Sequence, residues 1–140
     1  MRIFLGIVLL ITSTLIGYFL SLKYKNKKNF YTDFFEFNLN LKKEVAFSQY
    51  TILELIEKNY KTKTSDFNVN LYKIIVKNSN EISISYLNKS ELDFFKSYCT
   101  SIGSVDKMSQ IEYLNATQSE IESKKKQAFL DEKKYSSLYI

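Results

Sequence analysis

The chain contains no tryptophan, no histidine and no proline, one cysteine and only three glycines in 140 residues. Each absence excludes something. Without histidine there is neither the commonest metal ligand nor the usual general base near neutral pH. With Cys99 alone there is no internal disulfide and no cysteine-based metal framework. Three glycines cannot build a Walker loop or a Gly-rich dinucleotide turn, and neither zinc-ligand spacing nor a nucleophile elbow occurs. The composition therefore argues against an enzyme and assigns no cofactor and no metal. Carboxylate pairs such as Glu54 with Glu57 and Glu120 with Glu122 read as solvated surface charge.

What is present points to a packed helical protein attached to a membrane. A hydrophobic fraction of 45% with 16% aromatics argues for one folded domain and against disorder. The net charge of +5 would suggest nucleic acid if it were spread over a face. It is not: Arg2, Lys23, Lys25, Lys27 and Lys28 supply the whole excess, and from residue 29 onward 15 acidic residues balance 15 basic ones. Those five residues flank the uncharged run from Ile3 to Leu22. Twenty helical residues span about 30 Å, the thickness of a bilayer core. The competing reading, a cleaved signal peptide, calls for a shorter apolar region and a small-residue cleavage site, and the run instead ends in Phe19-Leu20-Ser21-Leu22-Lys23. Residues 1–24 are thus read as a transmembrane anchor in a cell membrane and 25–140 as a helical domain. Four lysines after the run against Arg2 before it place that domain in the cytosol, where the same lysines also meet anionic headgroups. Gly6, Ser13 and Gly17 either seat a partner helix or are ordinary small residues of a membrane helix.

Beyond the anchor, Phe30, Phe34, Phe37, Leu41, Val45, Ile52 and Leu55 recur every three or four residues, with Ser48 interrupting the stripe. No breaker occurs between Leu22 and Lys58, so the membrane helix is expected to continue as a stalk. Lys61 to Asp66 is a polar break in which Ser65 or Asp66 can cap a short helix through Leu71, Ile74 and Ile75. Asn78-Ser79-Asn80 is a second break. Residues Glu81 to Tyr86 alternate polar and apolar as a strand does, but a lone strand has no sheet to join, and a helix is preferred there. Ser90 is the expected cap of a helix with Glu91 and Asp93 in its first turn and Leu92, Phe95, Cys99 and Ile102 buried. Cys99 on that stripe reads as a small buried hydrophobe. Gly103 suits the left-handed position that closes the helix. Ser104 or Asp106 can cap a last helix of about thirty residues, whose stripe of Ile111, Leu114, Ile121, Ala128, Tyr135 and Leu138 is interrupted by Gln118 and Lys125. The fold class is all-α: an N-terminal transmembrane helix and a small bundle of about four to six helices, with the two long helices antiparallel. The sequons at Asn88 and Asn115 are chance matches on a cytosolic domain.

Several short pieces, in order and spacing, resemble the stage III sporulation protein AB family of endospore-forming bacteria. They are Leu15-Ile16-Gly17, Leu41-x-x-Glu44-Val45, Leu92-x-x-Phe95, Ile102-Gly103-x-x-Asp106-x-x-x-Gln110, Ala128 and Tyr135-x-x-Leu138-Tyr139. The resemblance implies a non-enzymatic component of the apparatus linking mother cell to forespore, in the mother-cell membrane. It also implies an all-helical domain similar to the platform protein of type II secretion systems. The implied partners are the membrane, other subunits of that complex and a secretion-ATPase-like protein, with no nucleic acid. The family continues into a second membrane helix, so residues 1–140 are expected to be either a piece of a longer protein or a member with a single anchor. Gly103, Asp106, Gln110 and Glu44 are the candidate structural or interaction residues. For the first three the readings are a hinge glycine, a helix cap and a buried polar bond, or together a turn that docks the ATPase or another subunit. The alternative function is a membrane-tethered cytosolic adaptor or sensor of an unknown ligand; a secreted helical protein is disfavoured by the lack of a lipobox cysteine.

The hinge reading of Gly103 has a direct test. Gly103→Val is expected to lower stability by about 1 kcal/mol or more in chemical denaturation, because valine resists the left-handed backbone.

Overall fold

The computed structural model describes residues 1–47, 52–60, 65–79, 81–102 and 107–138. Five helices follow one another: α1 (Arg2–Phe47), α2 (Ile52–Tyr60), α3 (Asp66–Ile75), α4 (Lys89–Ser101) and α5 (Lys107–Leu138). No strand occurs among the described residues.

The architecture starts from a change of pattern inside α1. Its first part is apolar on every side, and Ile3, Phe4, Leu5, Leu9, Leu10, Ile16 and Phe19 are all exposed. This is the one described helix long and apolar enough to cross a membrane. The hydroxyls within it are satisfied internally: Thr12 and Ser13 bond to the Leu9 and Leu10 carbonyls, each at 3.0 Å, and Thr14 to Leu10 at 2.8 Å. Such back-bonding lets a hydroxyl sit where no water is available. From Phe30 onward the apolar residues narrow to one stripe, and Phe30, Tyr31, Phe34, Phe37, Leu41 and Val45 are buried. The helix is unbroken across the change, so the stalk expectation holds to Phe47. Ile52 and Leu55 belong to the separate helix α2, and Ser48 lies outside the described residues.

α5 runs antiparallel to α1. Tyr24 stacks on Tyr135 at 4.3 Å, Lys125 lies over Phe35 at 4.4 Å, and Asn38 Nδ2 donates to the Leu114 carbonyl at 3.2 Å. Gln110, Leu114, Thr117, Ile121 and Ala128 form the buried edge of α5. The expected interruptions of its stripe serve the pairing: Gln118 accepts from Lys42, and Lys125 caps the Phe35 ring with its ammonium.

Helices α3 and α4 complete the bundle around an aromatic cluster. Phe67 of α3 stands edge-on to Phe34 at 5.0 Å and to Phe30 at 5.5 Å. Phe95 of α4 meets Phe30 at 5.2 Å, and Tyr98 meets Phe34 at 4.7 Å. Edge-to-face and tilted pairs at these distances add to the gain from burial alone. One polar residue sits in the middle. Asn38 is 0% exposed, yet Tyr98 donates to its Oδ1 at 2.8 Å while its Nδ2 bonds to Leu114, so α1, α4 and α5 are tied at a single point.

Local signals decide where the shorter helices begin. The expected choice between Ser65 and Asp66 falls to Ser65, whose Oγ accepts from the Asn68 amide at 3.3 Å. The expectation that Ser90 caps α4 is corrected: Asn88 does so, its Oδ1 accepting from the Glu91 amide at 2.8 Å. Asparagine is at least as good a cap as serine, and the earlier start adds a backbone bond from Leu92 to Asn88 at 2.9 Å. The Asn88 sequon is thereby occupied by a structural role. The buried face of α4 is also wider than expected, with Tyr98 at 0% exposure and Leu92 only partly covered. Asn78, at φ 51°, turns the chain after α3 in the left-handed region that asparagine tolerates.

Residues 81–84 are neither the preferred helix nor a strand. The alternation is nevertheless physical, because Ile82, Ile84 and Tyr86 are buried while Glu81, Ser83 and Ser85 are exposed. An irregular segment laid on a helical bundle buries every second side chain, and no strand among the described residues supplies a ladder.

Phe34→Ala is expected to cost about 3–5 kcal/mol in denaturant unfolding, as for other buried aromatic truncations. Phe47→Ala, at a side chain 90% exposed, is expected to change stability by less than about 0.5 kcal/mol.

Candidate functional site

A polar hollow lies where several described elements converge. It is a cleft of about 300 Å³ lined by Lys23, Tyr24 and Lys27 of α1, Ser85 to Asn88 ahead of α4, Glu91, and Asp131 and Tyr135 of α5. Its position follows from the antiparallel pairing, which returns the last turns of α5 to the level where the apolar run of α1 ends. The Tyr24–Tyr135 stack, with rings only 7° apart, joins the two helices there.

Glu91 organises one side of the cleft. Its Oε1 accepts from Lys27 Nζ at 2.7 Å and its Oε2 from the Tyr31 hydroxyl at 2.8 Å, so each oxygen has its own donor. Charge-assisted bonds of this length are the stronger kind, and partial burial limits screening by salt. Burial, and then the adjacent Glu91 carboxylate, hold the Tyr31 hydroxyl far above the ordinary tyrosine range. Burial and a 2.9 Å bond to Asp66 do the same for Tyr86. Burial likewise pushes the Cys99 thiol up, which leaves it un-ionised and poorly nucleophilic at neutral pH.

The lysines after the apolar run have different surroundings. Lys23 and Lys25 are exposed, whereas Lys27 turns inward to Glu91 and Lys28 approaches Glu132 at 3.6 Å and the Phe129 ring at 5.6 Å. Arg2 is exposed at the start of α1. Gln110 is 3% exposed, and its Nε2 donates to the Ile102 carbonyl, linking the end of α4 to the first turn of α5. Glu44 is exposed on α1, two residues beyond the Lys42 that bonds Gln118. Gly103 and Asp106 lie outside the described residues, as do Ser104 and Tyr139. The structure therefore separates the sequence candidates: Lys23 and Lys27 share the cleft, while Gln110 and Glu44 belong to the opposite end of the α1–α5 pair. Among the described residues no three His, Cys, Asp or Glu side chains gather as a metal site would require.

Sequence reasoning missed Glu91 as a partner of Lys27, Tyr31 and Asn38 as polar members of the core, and Asp131. Glu91 was read only as a first-turn acid. Its other role depends on residues 60 and 64 positions away. The available signal was that Tyr31 and Asn38 lie seven apart beside the Phe30–Val45 stripe, where a polar atom needs a partner.

Compared with family models, with curated proteins and with solved structures, the chain has no match.

The tyrosines set a direction for alkaline stability. Above about pH 10 tyrosines of the unfolded chain ionise while Tyr31 and Tyr86 keep their protons in the fold, so the unfolded state gains and stability falls as pH rises. Tyr31→Phe and Tyr86→Phe are each expected to flatten that fall, measured as denaturation midpoints on either side of pH 10.

Proposed function

We propose that the protein is a non-enzymatic, membrane-anchored subunit of the apparatus linking mother cell to forespore during endospore formation, acting through protein–protein contact. The observation that carries the reading is the ordered set of motif positions from Leu15-Ile16-Gly17 to Tyr135-x-x-Leu138-Tyr139, which resembles the stage III sporulation protein AB family along most of the chain. The all-helical architecture with a long antiparallel pair supports it. So does the return of Tyr135 to the level of Tyr24, beside the end of the apolar run, from which the family's second membrane helix would depart.

On this reading α1 crosses the mother-cell membrane through Ile3–Leu22, and the bundle lies in the cytosol. The end of the bundle marked by Ile102 and Gln110 then faces away from the bilayer. Twenty-five helical residues separate Gln110 from Tyr135, which puts that end about 37 Å from the headgroups. That end is the surface we assign to the secretion-ATPase-like partner or another subunit, with Glu44 on the neighbouring part of α1. A second reading, a membrane-tethered adaptor or sensor, draws on the cleft between Lys23 and Asp131.

Deletion of the gene is expected to block formation of heat-resistant spores and to stop late forespore gene expression, with recovery on supplying the full chain. Normal spore counts and normal forespore expression in the deletion strain would rule the reading out.

A further inference from the structure

The charges in the membrane-proximal cleft do not all find partners within the chain. Lys27 and Glu91 neutralise each other at 2.7 Å. Lys23 has no carboxylate partner among the described residues, and Asp131, whose Oδ1 accepts only the amide of Gln127 at 3.0 Å, has no cation. Both line the same cleft, Lys23 from α1 and Asp131 from α5, without forming an ion pair with each other. One ammonium and one carboxylate thus line a shared space from two different helices.

The position of that space limits what can fill it. With Ile3–Leu22 in the hydrocarbon, Lys23 to Lys27 fall within about 8 Å of its edge, inside the headgroup layer that separates a core of about 30 Å from the full bilayer thickness of about 40–45 Å. The stacked Tyr24 and Tyr135 rings stand where amphipathic aromatics favour the interface. A purely anionic group would gain Lys23 but lie near Glu91 and Asp131. A zwitterion gains on both walls.

We propose that this cleft is a binding site for a phosphoethanolamine headgroup, its phosphate on Lys23 and its primary ammonium on Asp131, supplied by a membrane phospholipid. The primary amine matters, since a quaternary ammonium has no N–H to donate to a carboxylate. The site rests on the membrane-anchored part of the reading above and is independent of any role in sporulation.

The test uses residues 1–140 reconstituted in nanodiscs of phosphatidylcholine doped with either phosphatidylethanolamine or phosphatidylglycerol, with retained lipid counted by native mass spectrometry. Phosphatidylethanolamine is expected to be retained about fivefold over phosphatidylcholine, the worth of one well-placed charge near the surface. Lys23→Gln and Asp131→Asn should each abolish that preference, while Lys25→Gln, which removes an exposed charge outside the cleft, should leave it intact. Circular dichroism checks that each variant keeps its helicity; if Asp131→Asn does not fold, the exposed Lys23 position decides alone. Equal retention of the two zwitterionic lipids, or equal effects of Lys23→Gln and Lys25→Gln, would overturn the site while the chain still copurifies with the discs. Displacement of the lipid by soluble phosphoethanolamine would overturn the lipid as its source. Failure to copurify with the discs would overturn the anchor and the site together.

Discussion

Everything else in this structure depends on α1 serving two environments without a break. For twenty residues it presents apolar surface in all directions, and from Phe30 it presents apolar surface in only one. The lysine-rich stretch between them is where the two demands meet. There the helix turns two cations inward to Glu91 and Glu132 and leaves two outward. The fastening of the bundle and the end of the apolar run are thus marked by adjacent residues of one charge type. Removing those charges would disturb both.

Within the bundle the division of labour is between mass and register. The aromatic cluster of Phe30, Phe34, Phe67 and Phe95 supplies buried area but little that forbids one helix from sliding past another. Asn38 supplies what the rings do not. A buried amide with one donor bond to α5 and one acceptor bond from α4 is satisfied in a single arrangement, and any slip would leave polar atoms unpaired in the core. A single polar residue in an apolar seam often acts in this way in coiled coils.

How much of this was legible in the sequence depended on whether the information was local. The long apolar start of α1, the stripe from Phe30 to Val45, the Ser65 cap and the length of α5 follow from charge, periodicity and capping within a few residues. Asn88 and Ser90 are both good caps two residues apart, and sequence alone could not choose between them. The alternation at 81–86 was visible, yet its meaning depended on neighbours far away in the chain. The same holds for the cleft. Lys27 and Glu91 read as a flanking charge and a helix-start charge, and only the packing of α4 against α1 brings them together. Gly103 and Asp106, which the sequence reading singled out, lie outside the described residues.

The absence of a joint in α1 also has a mechanical meaning. An apolar segment linked to its domain by a flexible tether leaves the domain free to face any direction, whereas here the orientation of the apolar segment is the orientation of the bundle's own spine. The helix continues for about 37 Å between Leu22 and Phe47, so a change of tilt of about 20° sweeps its far end sideways by about 13 Å. On the membrane-anchored reading, bilayer thickness or a neighbour leaning on the anchor would be geared into the position of the far end of α1, as the short arm of a lever moves the long one.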